Sequence, residues 1–79
     1  MTNIEKYQNA FIESFNLKIE EVANASVQTI DTWDSIGQMS LIAILEDSFG
    51  IEFQADDVIG FDSYEKGLQL LEKYNVNLQ

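Results

Sequence analysis

Apolar residues recur along this chain at intervals of three and four, the period of a helix buried along one side. Ile4, Tyr7, Phe11 and Phe15 make the first such stripe. Thr2 and Glu5 have the spacing of a capping box at its start, so a helix is predicted from there to about Phe15 and Asn16, with Leu17 leaving it. Residues 18–33 have no sustained period and read as a long connection. Ile19, Val22, Val27, Ile30 and Trp33 are scattered through it and should pin it to the body, with room for one helical turn around 19–23. A connection of this length is unusual in a compact domain and tends to be functional.

The clearest helical segment is SIGQMSLIAILEDSF, Ser35 to Phe49, with Met39, Ile42, Leu45 and Phe49 along one face and Leu41 and Ile44 widening it. It is expected to be the most buried helix. Gly50 supplies a left-handed cap and Ile51 the hydrophobic contact that follows such an ending. Residues 55–59 suit a short helix stopped by Gly60. A last helix is expected over about 63–74, opened by Asp62 or Ser63, with Tyr64, Leu68, Leu71 and Tyr74 on one stripe. The predicted fold class is all-α: a four-helix bundle with a long first loop and a short third helix, forming a single domain over 1–79.

Composition narrows what holds such a bundle together. A chain of 79 residues is near the lower limit for an independent core, and small domains are commonly helped by disulfides or metals. Cys is absent, as are His and Pro, so neither a disulfide framework nor thiolate or imidazole ligation is available. Packing has to suffice, and 46% apolar residues are enough for a compact bundle. No signal peptide, lipidation signal or transmembrane run is visible, so a soluble, cytoplasmic monomer without membrane insertion is expected.

Charge changes the picture more. Fourteen acids oppose four Lys, for a net charge of -10. A phosphate backbone would be repelled, so no nucleic-acid partner is expected. The segment from Ile19 to Glu65 carries eleven of the acids and no base; Lys6, Lys18, Lys66 and Lys73 all lie outside it. Such a stretch serves either as a solvated surface or as a steering field for basic partners.

Catalytic chemistry is poorly provided for. Without His or Cys there is no ordinary acid/base or thiol nucleophile. Neighbouring carboxylates such as Glu46 and Asp47, or Asp56 and Asp57, diverge on a helix, which argues against a two-carboxylate or metal centre. No enzyme activity and no metal site are expected. The remaining candidate for covalent chemistry is Asp34-Ser35 at the start of the second helix. Both are preferred N-caps, and Ser35 with Gln38 fits a capping box, so a plain cap accounts for the pair. Gly37 in the first turn and Trp33 just before the cap fit that account less well. A glycine there would let something approach the backbone, and free N–H groups at a helix start suit a phosphodiester.

The stretch WDSIGQMSLIAILEDSFGIEF resembles the attachment-site region of acyl carrier proteins. The matching residues are Asp34, Ser35 and Ile36, then Leu41, Leu45, Glu46, Asp47, Phe49, Gly50, Ile51 and Glu52. The following ADDVIGFDSYEKGLQLLEKY is similar to the short third and the fourth helix of that family, and the likeness spans about residues 30–75. The resemblance implies that Ser35 carries 4'-phosphopantetheine, transferred from coenzyme A by a phosphopantetheinyl transferase whose recognition motif includes Asp34. It implies a non-catalytic carrier of acyl or aminoacyl thioesters, loaded by a ligase and served by downstream transferases or synthases with basic docking patches. Glu46, Asp47, Glu52, Asp56 and Asp57 match the acidic docking face, and Ile36 and Met39 the contacts beside the arm. By their helical spacing, Leu41, Leu45, Phe49, Leu68 and Leu71 are read instead as core.

Fatty-acid-synthesis carriers have acids where this chain has Gly37 and Ser40, so here the negative patch begins at Glu46. Trp33 before Asp34-Ser35 and Gly-Gln-Met after Ile36 look more like stand-alone carriers of specialised pathways. D-alanyl carriers of cell-wall modification share Asp-Ser followed by a hydrophobic residue and Gly. An unmodified acidic helical adaptor is the alternative without an arm.

Overall fold

The structure, a computed structural model, describes residues 1–78. Five helices follow in order: α1 (Asn3–Phe15), α2 (Ile19–Val22), α3 (Ser35–Phe49), α4 (Ala55–Gly60) and α5 (Tyr64–Lys73). No strand occurs among the described residues, and no helix is long and apolar enough to cross a membrane.

The predicted capping box opens α1: the Glu5 amide donates to Thr2 Oγ1 at 3.2 Å and the Thr2 amide to Glu5 Oε1 at 2.8 Å. The Thr2 amide, and then the Thr2 hydroxyl, donate to the Glu5 carboxylate and hold it below the usual carboxylate range. Asn16 ends the helix at φ 55°, a left-handed conformation that Asn tolerates. Tyr7, Ala10, Phe11 and Phe15 are buried along the predicted stripe and Ile4 is half-buried.

Phe11 is the hub of the core. Its ring meets those of Tyr7, Trp33 and Tyr64 edge-on at centroid distances of 5.1, 5.6 and 5.4 Å, and Phe15 and Phe61 complete the shell. Edge-on pairs of this kind add about 0.5–1.5 kcal/mol each beyond burial. Tyr7 is fully buried, and its hydroxyl donates to the Tyr64 carbonyl at 2.6 Å. Burial pushes the Tyr7 phenol far above its ordinary value, so it stays neutral and donates. Gly67 faces this contact; a Cβ there would overlap the Tyr7 hydroxyl and the Phe61 ring.

The connection from α1 to α3 is pinned by fewer apolar residues than expected. Val22 and Trp33 are buried and Ile30 is half-buried, but Ile19 and Val27 are exposed. Backbone pairing supplies the missing anchor. The Val27 amide donates to the Asp62 carbonyl at 3.0 Å and the Tyr64 amide to the Ala25 carbonyl at 2.9 Å, forming a bridge between Ser26 and Ser63. Ser26 and Thr29 turn the loop locally, the Ser26 amide donating to Thr29 Oγ1 at 3.0 Å.

Helix α3 has the predicted bounds but a rotated buried face. Gly37, Leu41, Ile42 and Leu45 are buried, whereas Ile44 and Phe49 are half-buried and Met39 is 60% exposed. At 3.6 residues per turn Met39 lies about 160° round from Leu41, so the two cannot share one inner face. The helix is therefore not the most buried one; the shorter α1 and α5 each contribute as many buried residues. Gly50 adopts φ 64°, and the amides of Gly50 and Ile51 both donate to the Glu46 carbonyl, as the sequence predicts for this ending.

Helix α4 includes Gly60 rather than stopping before it, and buries none of its residues. The chain on either side is anchored by buried Phe53 and Phe61. Ser63, one of the two predicted initiators, caps α5 by accepting from the Lys66 amide at 3.0 Å. Tyr64 and Leu71 are buried as predicted, Leu68 and Tyr74 are half-buried, and Gly67 and Leu70 complete the inner face. Beyond α5 the chain folds back over α1, where Asn3 Nδ2 donates to the Asn77 carbonyl at 2.7 Å.

Candidate functional site

Asp34, not Ser35, is the N-cap of α3. Its Oδ1 accepts from the Gly37 amide at 2.9 Å and its carbonyl from the Gln38 amide at 2.8 Å. Ser35 is thus the first residue inside the helix, and the Ser35–Gln38 capping box does not form. Ser35 is exposed, and among the described residues its Oγ makes no hydrogen bond. The amides of Ser35 and Ile36 precede the first helical bonds and have no partner among the described residues, so two N–H donors stand beside that hydroxyl. A phosphodiester on Oγ would find uncommitted donors and the positive end of the helix there.

Ser35 opens onto a shallow groove. Trp33 and Phe61 line its inner side, Met39, Val58 and Ile59 its apolar walls, and Asp34 and Asp62 its rim. A cavity of similar size (about 590 Å³ against about 540 Å³) lies between Ile4, Leu68, Val76 and Leu78 and shares no residue with the groove. Size does not separate the two, but chemistry does: only the groove borders an exposed hydroxyl with free helix donors.

Gly37 is explained by packing within the chain. A Cβ at this position would overlap the Thr32 carbonyl and approach Phe15 Cε1 to 2.9 Å. The backbone that comes close to α3 here is the protein's own loop, drawn in by Trp33, whose ring stacks on Phe15 at 4.9 Å. Close packing of loop on helix therefore accounts for this glycine with no ligand at the backbone.

Gln38, read from sequence only as a capping partner, has a different role. Its Oε1 accepts from Trp33 Nε1, and its Nε2 donates to the carbonyls of Val58 at 2.7 Å and Phe61 at 3.1 Å. An indole N–H can only donate and a carbonyl can only accept, so these partners fix the orientation of the amide. One side chain on α3 thereby ties together the loop, α3 and the last turn of α4.

The residues expected to face partners divide into two groups. Ile36, 82% exposed, and Met39 stand beside Ser35 and present apolar surface, while Asp47, Glu52 and Asp56 are exposed. Glu46 and Asp57 are turned inward. Glu46 Oε2 accepts from the Phe53 amide at 2.8 Å, fixing the turn after α3. Asp57 accepts from Lys73 Nζ at 3.0 Å and from the Tyr74 hydroxyl, and the Tyr74 oxygen in turn accepts from the Gln54 amide at 2.8 Å. The Tyr74 hydroxyl and then Lys73 hold the Asp57 carboxyl below its ordinary value, and Asp57 raises the pKa of both partners. Lys73 therefore supplies a base to the acidic segment that reading along the chain left without one. Ile59, also 82% exposed, and Val27, expected from sequence to pin the connection, instead extend the apolar surface near Ser35.

Among the described residues no group of three or more Asp, Glu, His or Cys is arranged to hold a metal ion. In comparisons with known proteins, no family model and no curated protein matches this chain.

Proposed function

We propose that the chain is a carrier protein that holds acyl or aminoacyl groups on a 4'-phosphopantetheine arm attached to Ser35, in an acyl-carrier-like bundle of α1, α3, α4 and α5. The observation that carries this reading is the exposed Ser35 hydroxyl, free of any internal bond and set beside two unpaired amides on the first turn of a long helix. A hydroxyl serving as the cap would be engaged; here Asp34 has taken that task and left Oγ available.

Attachment would form a bond from Ser35 Oγ to the phosphorus next to the pantetheine of coenzyme A. The phosphoanhydride bond breaks and adenosine 3',5'-bisphosphate leaves. The chain has no His to take the serine proton, so the transferase must provide the base. Asp34 keeps the first turn in register for that enzyme. The arm's terminal thiol supplies the thioester chemistry; the chain presents the cargo. Ile36, Met39 and Ile59 would give partners an apolar contact, rimmed by Asp47, Glu52 and Asp56 for basic surfaces.

Intact mass after incubation with coenzyme A and a broad-specificity phosphopantetheinyl transferase tests the proposal. The expected result is a gain of one phosphopantetheine on the wild type and none on Ser35→Ala. Because Asp34 is the cap, that substitution leaves the helix start intact and the variant folded. A wild type that gains nothing, or a gain that survives Ser35→Ala, overturns the carrier reading and leaves the unmodified adaptor.

A further inference from the structure

Helix α4 is held to the rest of the molecule in an unusual way. None of its six residues is buried, and Ile59 is almost fully exposed. Its ends are fixed by Phe53, 7% exposed, and Phe61, 1% exposed, each set in the aromatic cluster: the two rings meet edge-on at 6.1 Å. Between those anchors half-buried Val58 gives the helix its apolar contact with the core, and its other side-chain tethers are polar. On one side Asp57 reaches Lys73 and Tyr74 of the α5 end, through a lysine that is more than half exposed and open to screening by salt. On the other, part-buried Gln38 donates to the Val58 and Phe61 carbonyls while its oxygen holds the indole of Trp33.

We propose that α4 is a strap that opens locally while its aromatic anchors stay seated, and that the Gln38 side chain is the latch that keeps it closed. The geometry carries this in three steps. A short helix with no buried side chain gains little from the hydrophobic effect and belongs to the low-stability part of a fold. Two carbonyls at its C-terminal end have their side-chain donor in Gln38 and lose it when the amide is removed. The residues that carry those carbonyls, Val58 and Phe61, line the groove beside Ser35, so the latch sets how closely Val58 and Ile59 approach α3. Gln38 is a positioning residue: it fixes the wall of the groove and reacts with nothing. The inference does not depend on any modification of Ser35.

Native-state hydrogen exchange on the unmodified protein tests it. In the wild type the amides of Asp57 and Val58, both bonded to the Gln54 carbonyl, are expected to exchange through an opening insensitive to low denaturant. The α1 core amides should exchange only with global unfolding. Gln38→Leu, which keeps the bulk and removes both donors, should speed exchange at Asp57 and Val58 about tenfold or more and leave the α1 amides unchanged. Trp33, the single tryptophan and only 6% exposed, should become more accessible to acrylamide quenching in the same variant. Wild-type α4 amides that exchange only with the core would overturn the strap, and this measurement needs no variant to fold. Equal acceleration of α4 and α1 in Gln38→Leu, or of neither, would overturn the latch.

Discussion

Two of the four glycines are places where the chain cannot carry a methyl group. At Gly67 an added Cβ collides with the Tyr7 hydroxyl and the Phe61 ring, both fully buried in the aromatic cluster with nowhere to retreat. Gly67→Ala is expected to cost about 1–3 kcal/mol from overpacking, and about 1 kcal/mol more if the Tyr7–Tyr64 bond breaks. Gly37→Ala meets the Thr32 backbone and should cost a similar amount, because a carbonyl cannot swing aside as a flexible side chain can. Gly60 faces open space, so Gly60→Ala should stabilise the protein by up to about 1 kcal/mol through helix propensity. Urea denaturation of the three variants measures all of this; equal effects at Gly60 and Gly67 would mean that the packing described around Tyr7 is wrong. Asp57 makes a second residue-scale prediction. Its folded pKa lies below the ordinary 3.8, so its tether is complete above that value and is lost as pH falls through the lower folded one. Lys73 and Tyr74 are shifted upward, so on the alkaline side the tether is lost only as pH climbs through their raised values. The melting-temperature difference between wild type and Asp57→Asn should therefore be flat near neutrality and shrink at both extremes. A difference that grows in acid would contradict the sign.

Periodicity and caps made the elements largely legible in the chain. Thr2 with Glu5, Gly50 with Ile51, and Ser63 are local signals acting through backbone hydrogen bonds, and each ends or begins a helix where its chemistry requires. What escaped the sequence is what depends on a second segment. The bridge between Ser26 and Ser63 joins residues 37 apart through main-chain groups that carry no side-chain signature. Gln38 looked like a capping partner of Ser35 because spacing along one helix was the only visible relation; its true partners are an indole and two carbonyls of other segments. Gly37 illustrates the same point from the other side: an oddity that suggested a ligand is explained by Thr32 and Phe15 once the loop is folded over α3. The candidate site was half legible. Asp34 and Ser35 stood out from their order in the chain, and Ile36 and Met39 only through the resemblance to acyl carrier proteins, whereas Val58 and Ile59 enter only because the fold returns α4 to the start of α3.

At the scale of the whole molecule, charge is the dominant unbalanced quantity. A net charge of -10 sits on a body of 29 × 27 × 18 Å, and Lys73 with Asp57 is the one ion pair among the described residues. Raising the salt from about 0.01 M to about 0.1 M contracts the Debye length from about 30 Å to about 10 Å. The longer length spans the protein, so nearly every acid repels every other; the shorter one confines repulsion to near neighbours. Screening also weakens the Lys73 tether, but that is a single pair whose lysine is more than half exposed, and such pairs contribute little. Self-repulsion wins this comparison, so the melting temperature should rise over that salt range, and Asp47→Lys should raise it more at low salt than at high. Thermal unfolding followed by circular dichroism at the two salt concentrations decides the matter. A melting temperature that stays level or drops would mean that the acids are already compensated in the folded state. The docking surface proposed around Ser35 would then lack the outward field expected to draw in basic partners.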